Sequence, residues 1–312
     1  MNTIHIVLII IVGILIVFWV APAISMYIAV FCRKGHKANK GVDPEKEYFE
    51  GYETEYRSAV QKLEGLYKEQ IEITSFDGKK LYGYYCYSKE KNEKSDKAAI
   101  LFHGFRTNPF LNLAPMAKVL LEMGYDIVIP YARGHVPSEG RSTVGLLEQE
   151  DVLAWTDFVK KKYLPSKFIL GGISMGGSSV GYASDRLEGV NAIIIDCAFV
   201  SPYNQMVKET RQRHMPGEML IPIMRLCGKM HIKKDIKAAV TDSLSKTDIP
   251  AFFIHGNKDA TVPVSEGIKN YEACASKKEM LLVEGAKHTA GLIWSKDEGV
   301  SRLKKFILEC ER

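Results

Sequence analysis

Ser174 stands between two glycines in Gly172-Ile173-Ser174-Met175-Gly176, where the apolar run Lys167-Phe168-Ile169-Leu170 gives way to small residues. A helix-compatible stretch, Ser178 to Leu187, follows. Strand, sharp turn and helix with a serine at the apex is the layout of a nucleophile elbow. Such a turn lifts the serine oxygen above the sheet. The glycines are required because a side chain at either place would strike the neighbouring strand or helix. A serine hydroxyl is a weak nucleophile near neutral pH, so the motif has chemical meaning only beside a base and an orienting acid.

Both follow in the chain. The buried-type run Ile249-Pro250-Ala251-Phe252-Phe253-Ile254 leads into His255-Gly256-Asn257-Lys258-Asp259, and Met280-Leu281-Leu282-Val283 leads to Glu284-Gly285-Ala286-Lys287-His288. Asp259 and His288 therefore fall in loops past the carboxyl ends of expected parallel strands, on the sheet edge that carries Ser174. There His288 would take the serine proton, and Asp259 would hold the imidazole tautomer and stabilise the imidazolium. Asp196, which ends the run Ala192-Ile193-Ile194-Ile195, is the alternative acid. Singly, each residue reads as a turn serine, a capping aspartate or a solvated histidine. Their order, each behind its own strand, favours the catalytic reading. A further strand, Ala98-Ala99-Ile100-Leu101-Phe102, ends in His103-Gly104-Phe105. In the α/β-hydrolases, which this layout resembles, the loop after that strand and the residue after the nucleophile each supply an oxyanion N–H. Here these would be Phe105 and Met175, with His103 bracing the loop.

These motifs, in the order serine, aspartate, histidine, resemble the α/β-hydrolase superfamily of serine hydrolases. The likeness runs from about Glu69 to Glu309 and includes the entry hairpin Ile71-Glu72-Ile73-Thr74-Ser75-Phe76-Asp77-Gly78-Lys79-Lys80-Leu81. It is to small bacterial membrane-anchored members with serine-aminopeptidase or acyl-peptidase-like profiles. The resemblance implies an α/β-hydrolase fold: a mostly parallel sheet with helices on both faces and a helical cap insertion. One departure is visible. Relatives carry an aspartate before Arg-Gly-His-Gly, where this chain has Tyr131-Ala132-Arg133-Gly134-His135-Val136-Pro137. That loop is expected to border the acyl pocket.

Composition fits one α/β domain. The chain has 312 residues, 46% of them hydrophobic, and roughly 240 residues is ordinary for such a fold. Alternating strand and helix patterns from Ala98 onward predict the parallel sheet. Helices are expected at Ala114–Met123, Leu147–Tyr163, Met175–Leu187, Val264–Ala275 and Glu298–Glu309. The chain shows no internal repeat and no Gly-rich phosphate loop. Its six cysteines (Cys32, Cys86, Cys197, Cys227, Cys274, Cys310) form no Cys-x-x-Cys pair, so neither zinc nor a disulfide framework is expected. No metal or organic cofactor is implied.

The amino terminus has a different character. No charged residue occurs from Ile6 to Cys32, and about 20 apolar residues span a bilayer. A signal peptide cut near Ala21-Pro22-Ala23 is the competing reading. It fits less well because Met1 to His5 carry no lysine or arginine and the apolar run is long. The expected division is a transmembrane anchor at 4–31, a polar linker or short helix at 32–68, and a catalytic domain at 69–312 that needs nothing from the anchor. Arg33, Lys34, Lys37 and Lys40 follow the span, so the positive-inside rule expects a single-pass protein of the cell membrane with its catalytic domain in the cytoplasm.

The insertion, at about 200–248, is expected to cap the acyl pocket. From Tyr203 to Val240 it holds eight basic residues against three acids, a net of +5 equal to that of the whole chain. A basic face toward anionic lipid or an anionic substrate is one reading; solvated charge is the other. The basic residues lack interleaved aromatics, so nucleic acid is not an expected partner. The expected activity is hydrolysis of a carboxylester or thioester with an apolar, small-molecule or lipid-like acyl group, through an acyl-enzyme. A serine aminopeptidase or deacylase is the alternative, as is a silent scaffold. Oligomeric state is not legible.

Overall fold

The apolar runs become strands of one sheet. β1 (Lys68–Thr74) and β2 (Lys80–Cys86) form a hairpin across Asp77-Gly78, followed by β3 (Lys97–Phe102), β4 (Asp126–Pro130), β5 (Lys167–Ile173), β6 (Ala192–Asp196), β7 (Ala251–Gly256) and β8 (Lys278–Val283). The order is β1-β2-β4-β3-β5-β6-β7-β8, antiparallel at β1, β2 and β4 and parallel from β4 to β8. β1 alternates between covered and exposed residues, whereas β4, β6 and β7 are buried throughout, as parallel strands with helices on both faces must be. This computed structural model describes residues 2–32, 35, 47–89 and 93–312.

The helices are α1 (Thr3–Cys32), α2 (Glu53–Glu64), α3 (Pro109–Glu122), α4 (Glu148–Tyr163), α5 (Met175–Ala183), α6 (Pro202–Gln212), α7 (Gly217–His231), α8 (Val240–Leu244), α9 (Val264–Ala273), α10 (Gly291–Trp294) and α11 (Lys296–Cys310). Two cores result. One sheet face packs Trp155, Tyr182, Leu220 and Met224 with Ala23, Tyr27 and Phe31 of α1. The other packs Phe49, Tyr56 and Leu63 with Leu113, Phe252 and Phe306.

α3 begins five residues before its expected start. Asn108 caps it by accepting from the Phe110 and Leu111 N–H groups, and Pro109 takes the first helical position, where its missing N–H costs nothing. Pro115 inside the helix has no N–H for the Leu111 carbonyl. The Tyr56 hydroxyl donates to that carbonyl instead, at 3.2 Å. The stretch expected to be a polar linker or short helix thus contains α2, whose residues repair α3 and fill the second core.

α1 corrects a further expectation, that the fold needs nothing from the anchor. It is apolar and mostly exposed from Thr3 to Phe18, but Ala23, Tyr27 and Phe31 are buried against the helical insertion formed by α6, α7 and α8. The Tyr27 hydroxyl lies 3.1 Å from His231 Nδ1 at the end of α7. The basic flank used to orient the anchor, Arg33, Lys34, Lys37 and Lys40, lies outside the described residues.

A full-length Tyr27→Ala/Phe31→Ala variant in detergent micelles should therefore melt well below wild type. Truncating a buried aromatic costs about 3–5 kcal/mol. Leu8→Ala/Ile11→Ala, on the exposed part of the same helix, should leave the melting temperature unchanged.

Candidate active site

β5, β7 and β8 run parallel, so their carboxyl ends share one edge. At the end of β5 the backbone must reverse within one residue to start α5. Ser174 does this at φ 54° and ψ −116°, a conformation that L-residues rarely adopt. Its N–H donates to the Asp196 carbonyl at 2.8 Å. Both flanking glycines are obligatory: a Cβ on Gly172 would sit 2.3 Å from the Gly176 carbonyl carbon, and one on Gly176 would sit 2.0 Å from the Phe102 oxygen. Met175 opens α5, where first-turn N–H groups have no intrahelical acceptor.

Asp259 and His288 meet. His288 Nδ1 lies 2.6 Å from Asp259 Oδ2, both groups buried. The other carboxylate oxygen accepts the Thr261 and Val262 N–H groups, each at 2.8 Å. Burial alone would raise the Asp259 pKa, but hydrogen bonds from His255, His288 and the Val262 N–H outweigh it and hold the carboxyl well below the usual range. An ionised carboxylate only accepts, so the proton between the two resides on Nδ1. In the neutral ring that tautomer leaves the lone pair on His288 Nε2, the form a general base needs.

His255 is the member that sequence reasoning passed over. Its Nε2 lies 2.9 Å from the Val262 carbonyl and 3.4 Å from Asp259 Oδ2, two acceptors that require an N–H there. The ring packs against Gly267, where a Cβ would come within 2.2 Å of Nδ1. The available signal was a histidine at a strand end, four residues before the acid. Asp196, the rival acid, lies at the end of β6 with Oδ1 buried and without a hydrogen-bond partner, and burial pushes its pKa up to about 7. Its backbone holds the elbow, whereas the carboxylate that accepts from His288 Nδ1 is that of Asp259. Cys197 Sγ lies within 4.8 Å of the Asp259 and His288 ligand atoms. Burial pushes its thiol pKa up, and the other two groups are spent on each other, so this is a poor metal site.

Two more histidines set the loop after β3. The Ala132 N–H donates to His103 Nε2 at 3.0 Å, which fixes the proton on Nδ1, 2.7 Å from the Gly104 carbonyl. The Arg106 N–H likewise donates to His135 Nε2 at 3.0 Å. Burial depresses both pKa values, that of His103 to about 3, so both rings stay neutral braces for the loop bearing Phe105. The unusual Tyr131–Pro137 loop therefore acts on the site indirectly and does not wall it, contrary to expectation. Its Arg133 is buried in ion pairs with Asp151 at 2.6 Å and Asp77 at 3.2 Å.

Ser174 and His288 open into a cavity of about 370 Å³ whose apolar wall is Tyr48, Phe49, Tyr56, Phe105 and Leu111. The insertion at about 200–248 is helical, as expected, but its residues are not among that lining. It touches the site through Lys208 Nζ, which donates to the Thr261 carbonyl at 2.7 Å. The roof comes instead from the residues before β1. Their aromatics were visible in the sequence, but no periodicity tied them to a site.

No protein-family model matches the chain. It is 28% identical to the uncharacterized protein YqkD of Bacillus subtilis (strain 168) over 231 residues, 70% of this chain and 74% of that one. Among solved structures it is similar to the Pyrococcus furiosus esterase Pf2001, with TM-score 0.66 and 19% identity over 89% of this chain and 97% of the other. Est1E of Butyrivibrio proteoclasticus, solved with ferulic acid bound, gives TM-score 0.58 and 19% identity over 77% and 98%. The Pyrococcus horikoshii acylaminoacyl peptidase gives 0.55 and 15% over 79% and 42%.

Asp196 carries a pH signature. Its folded pKa of about 7 exceeds the ordinary 3.8, so the unfolded chain loses this proton first and stability falls as pH rises between those values. Asp196→Asn should match wild type in denaturant midpoint near pH 4 and exceed it at pH 8.

Proposed function

Starting from a chain that has the α/β-hydrolase fold, we propose that it is a membrane-anchored serine hydrolase cleaving a carboxylester or thioester through an acyl-enzyme. The observation that carries this reading is the buried His288–Asp259 hydrogen bond beside a strained Ser174, with serine and histidine on one apolar cavity. Ser174 Oγ attacks the acyl carbonyl while His288 Nε2 takes its proton, and Asp259 stabilises the resulting imidazolium. The N–H groups of Phe105 and Met175 receive the oxyanion. His288 then returns its proton to the leaving alkoxide or thiolate, and water repeats the sequence to release the acid.

The wall supports an apolar acyl group. Among the described residues that line the cavity none is a carboxylate that could receive a substrate amine, and Arg106 is the cation there. That favours an esterase or thioesterase over an aminopeptidase. The thirty-residue apolar helix Thr3–Cys32 supports the anchor, and the basic residues after it in the sequence support a cytoplasmic catalytic domain.

A fluorophosphonate probe should label wild type at Ser174 and leave Ser174→Ala unlabelled. A folded wild type that resists the probe would favour a silent scaffold. On nitrophenyl esters of graded chain length, Ser174→Ala and His288→Ala should each lose nearly all turnover. Asp259→Asn should lose several orders of magnitude in kcat. Asp196→Asn should retain most activity at pH 8; the reverse ranking of the two aspartates would reassign the acid.

A further inference from the structure

α7 has two apolar faces, and the fold covers one of them. Leu220, Ile221, Met224 and Gly228 are buried. Almost opposite, Met219, Leu226 and Met230 are 48%, 58% and 75% exposed. With the partly buried Ile223 they make an i, i+4, i+7, i+11 stripe, one continuous line along the helix. Arg225 and Lys229 flank it, sharing Asp235 at 2.6 and 3.3 Å, and Lys233 and Lys234 follow its end, Lys234 at 3.7 Å from Glu150.

α7 packs on α1 through its covered face, with Leu220, Ile221 and Met224 in one core with Ala23, Tyr27 and Phe31. α7 contacts the Ile16–Val20 and Ala21–Tyr27 stretches of that helix and ends at the Tyr27–His231 contact. This matters for length. The uncovered part of α1, Thr3 to Phe18, rises only about 24 Å at 1.5 Å per residue, against a hydrocarbon core of about 30 Å. The half-buried Trp19 marks where bare helix meets covered helix. A spanning α1 must therefore draw part of its covered stretch, and α7 with it, into the boundary of the bilayer.

We propose that α7 is a second membrane-contacting element. Met219, Ile223, Leu226 and Met230 lie in the acyl-chain boundary of the bilayer that α1 crosses, and the flanking cations lie at its headgroups. The catalytic domain then rests on the membrane by a face instead of swinging on a tether. The insertion acts as a seat, leaving the aromatic roof over Ser174 to the residues before β1. This inference rests on the reading of α1 as a membrane helix.

The test uses the full chain in phosphatidylcholine–phosphatidylglycerol vesicles with brominated acyl chains, which quench only fluorophores within the bilayer. Leu226→Trp and Met230→Trp each add one tryptophan at an exposed position. Leu308→Trp adds one on α11, which packs on the opposite face of the sheet. The emission added at 226 and at 230 should fall at least twofold in brominated vesicles and resist aqueous acrylamide. The emission added at 308 should do the reverse. If the protein floats with the vesicles but 226 and 230 behave like 308, α7 is not a membrane element and the anchor reading stands alone. If the full chain does not float with vesicles, both readings fall together.

Discussion

A carboxylate buried beside an imidazole must be neutralised by its neighbours, and the loop after β7 is built around that requirement. Asp259 receives two backbone N–H groups on one oxygen and His288 on the other, with His255 close by. Without these donors the charge would be expelled by protonation, as burial tends to do to Asp196. A protonated acid could no longer fix the proton of His288 on Nδ1. The tautomer of His288 thus depends on a few hydrogen bonds in one turn.

The same logic explains why two acids at adjacent strand ends differ. Asp196 and Asp259 follow neighbouring parallel strands, and both are buried. Asp259 sits where the chain curls back and aims N–H groups at its side chain. Asp196 keeps an orphaned oxygen, while its backbone serves the elbow. Residue type cannot separate them; the supply of donors does.

Backbone repair also links distant parts of the chain. Pro115 leaves a carbonyl without a helical donor, and Tyr56 supplies one while forming part of the wall beside Ser174. Tyr48 stands edge-on to the His288 ring, with centroids 6.4 Å apart. The residues before β1 therefore belong to the site. On the other sheet face, α1 belongs to the core through Tyr27 and Phe31. Terminal segments that composition separates from the domain are joined to it by buried aromatic area.

Much was determined by the sequence alone. Hydrophobic period and turn residues placed the strands, and a parallel sheet then required Ser174, Asp259 and His288 to lie on one edge, because each follows the carboxyl end of its strand. Glycine at 172 and 176 likewise follows from local sterics. The insertion's helical nature was legible, but what it packs against was not. Its buried and exposed apolar stripes are equally apolar in sequence, and only the position of α1 tells them apart. The roles of His255, Arg133 and Tyr56 were likewise hidden, since each acts through a partner 4 to 56 residues away. Local pattern reports which face of an element is apolar. Only the assembled chain decides which apolar face finds protein, and which buried charge finds its donors.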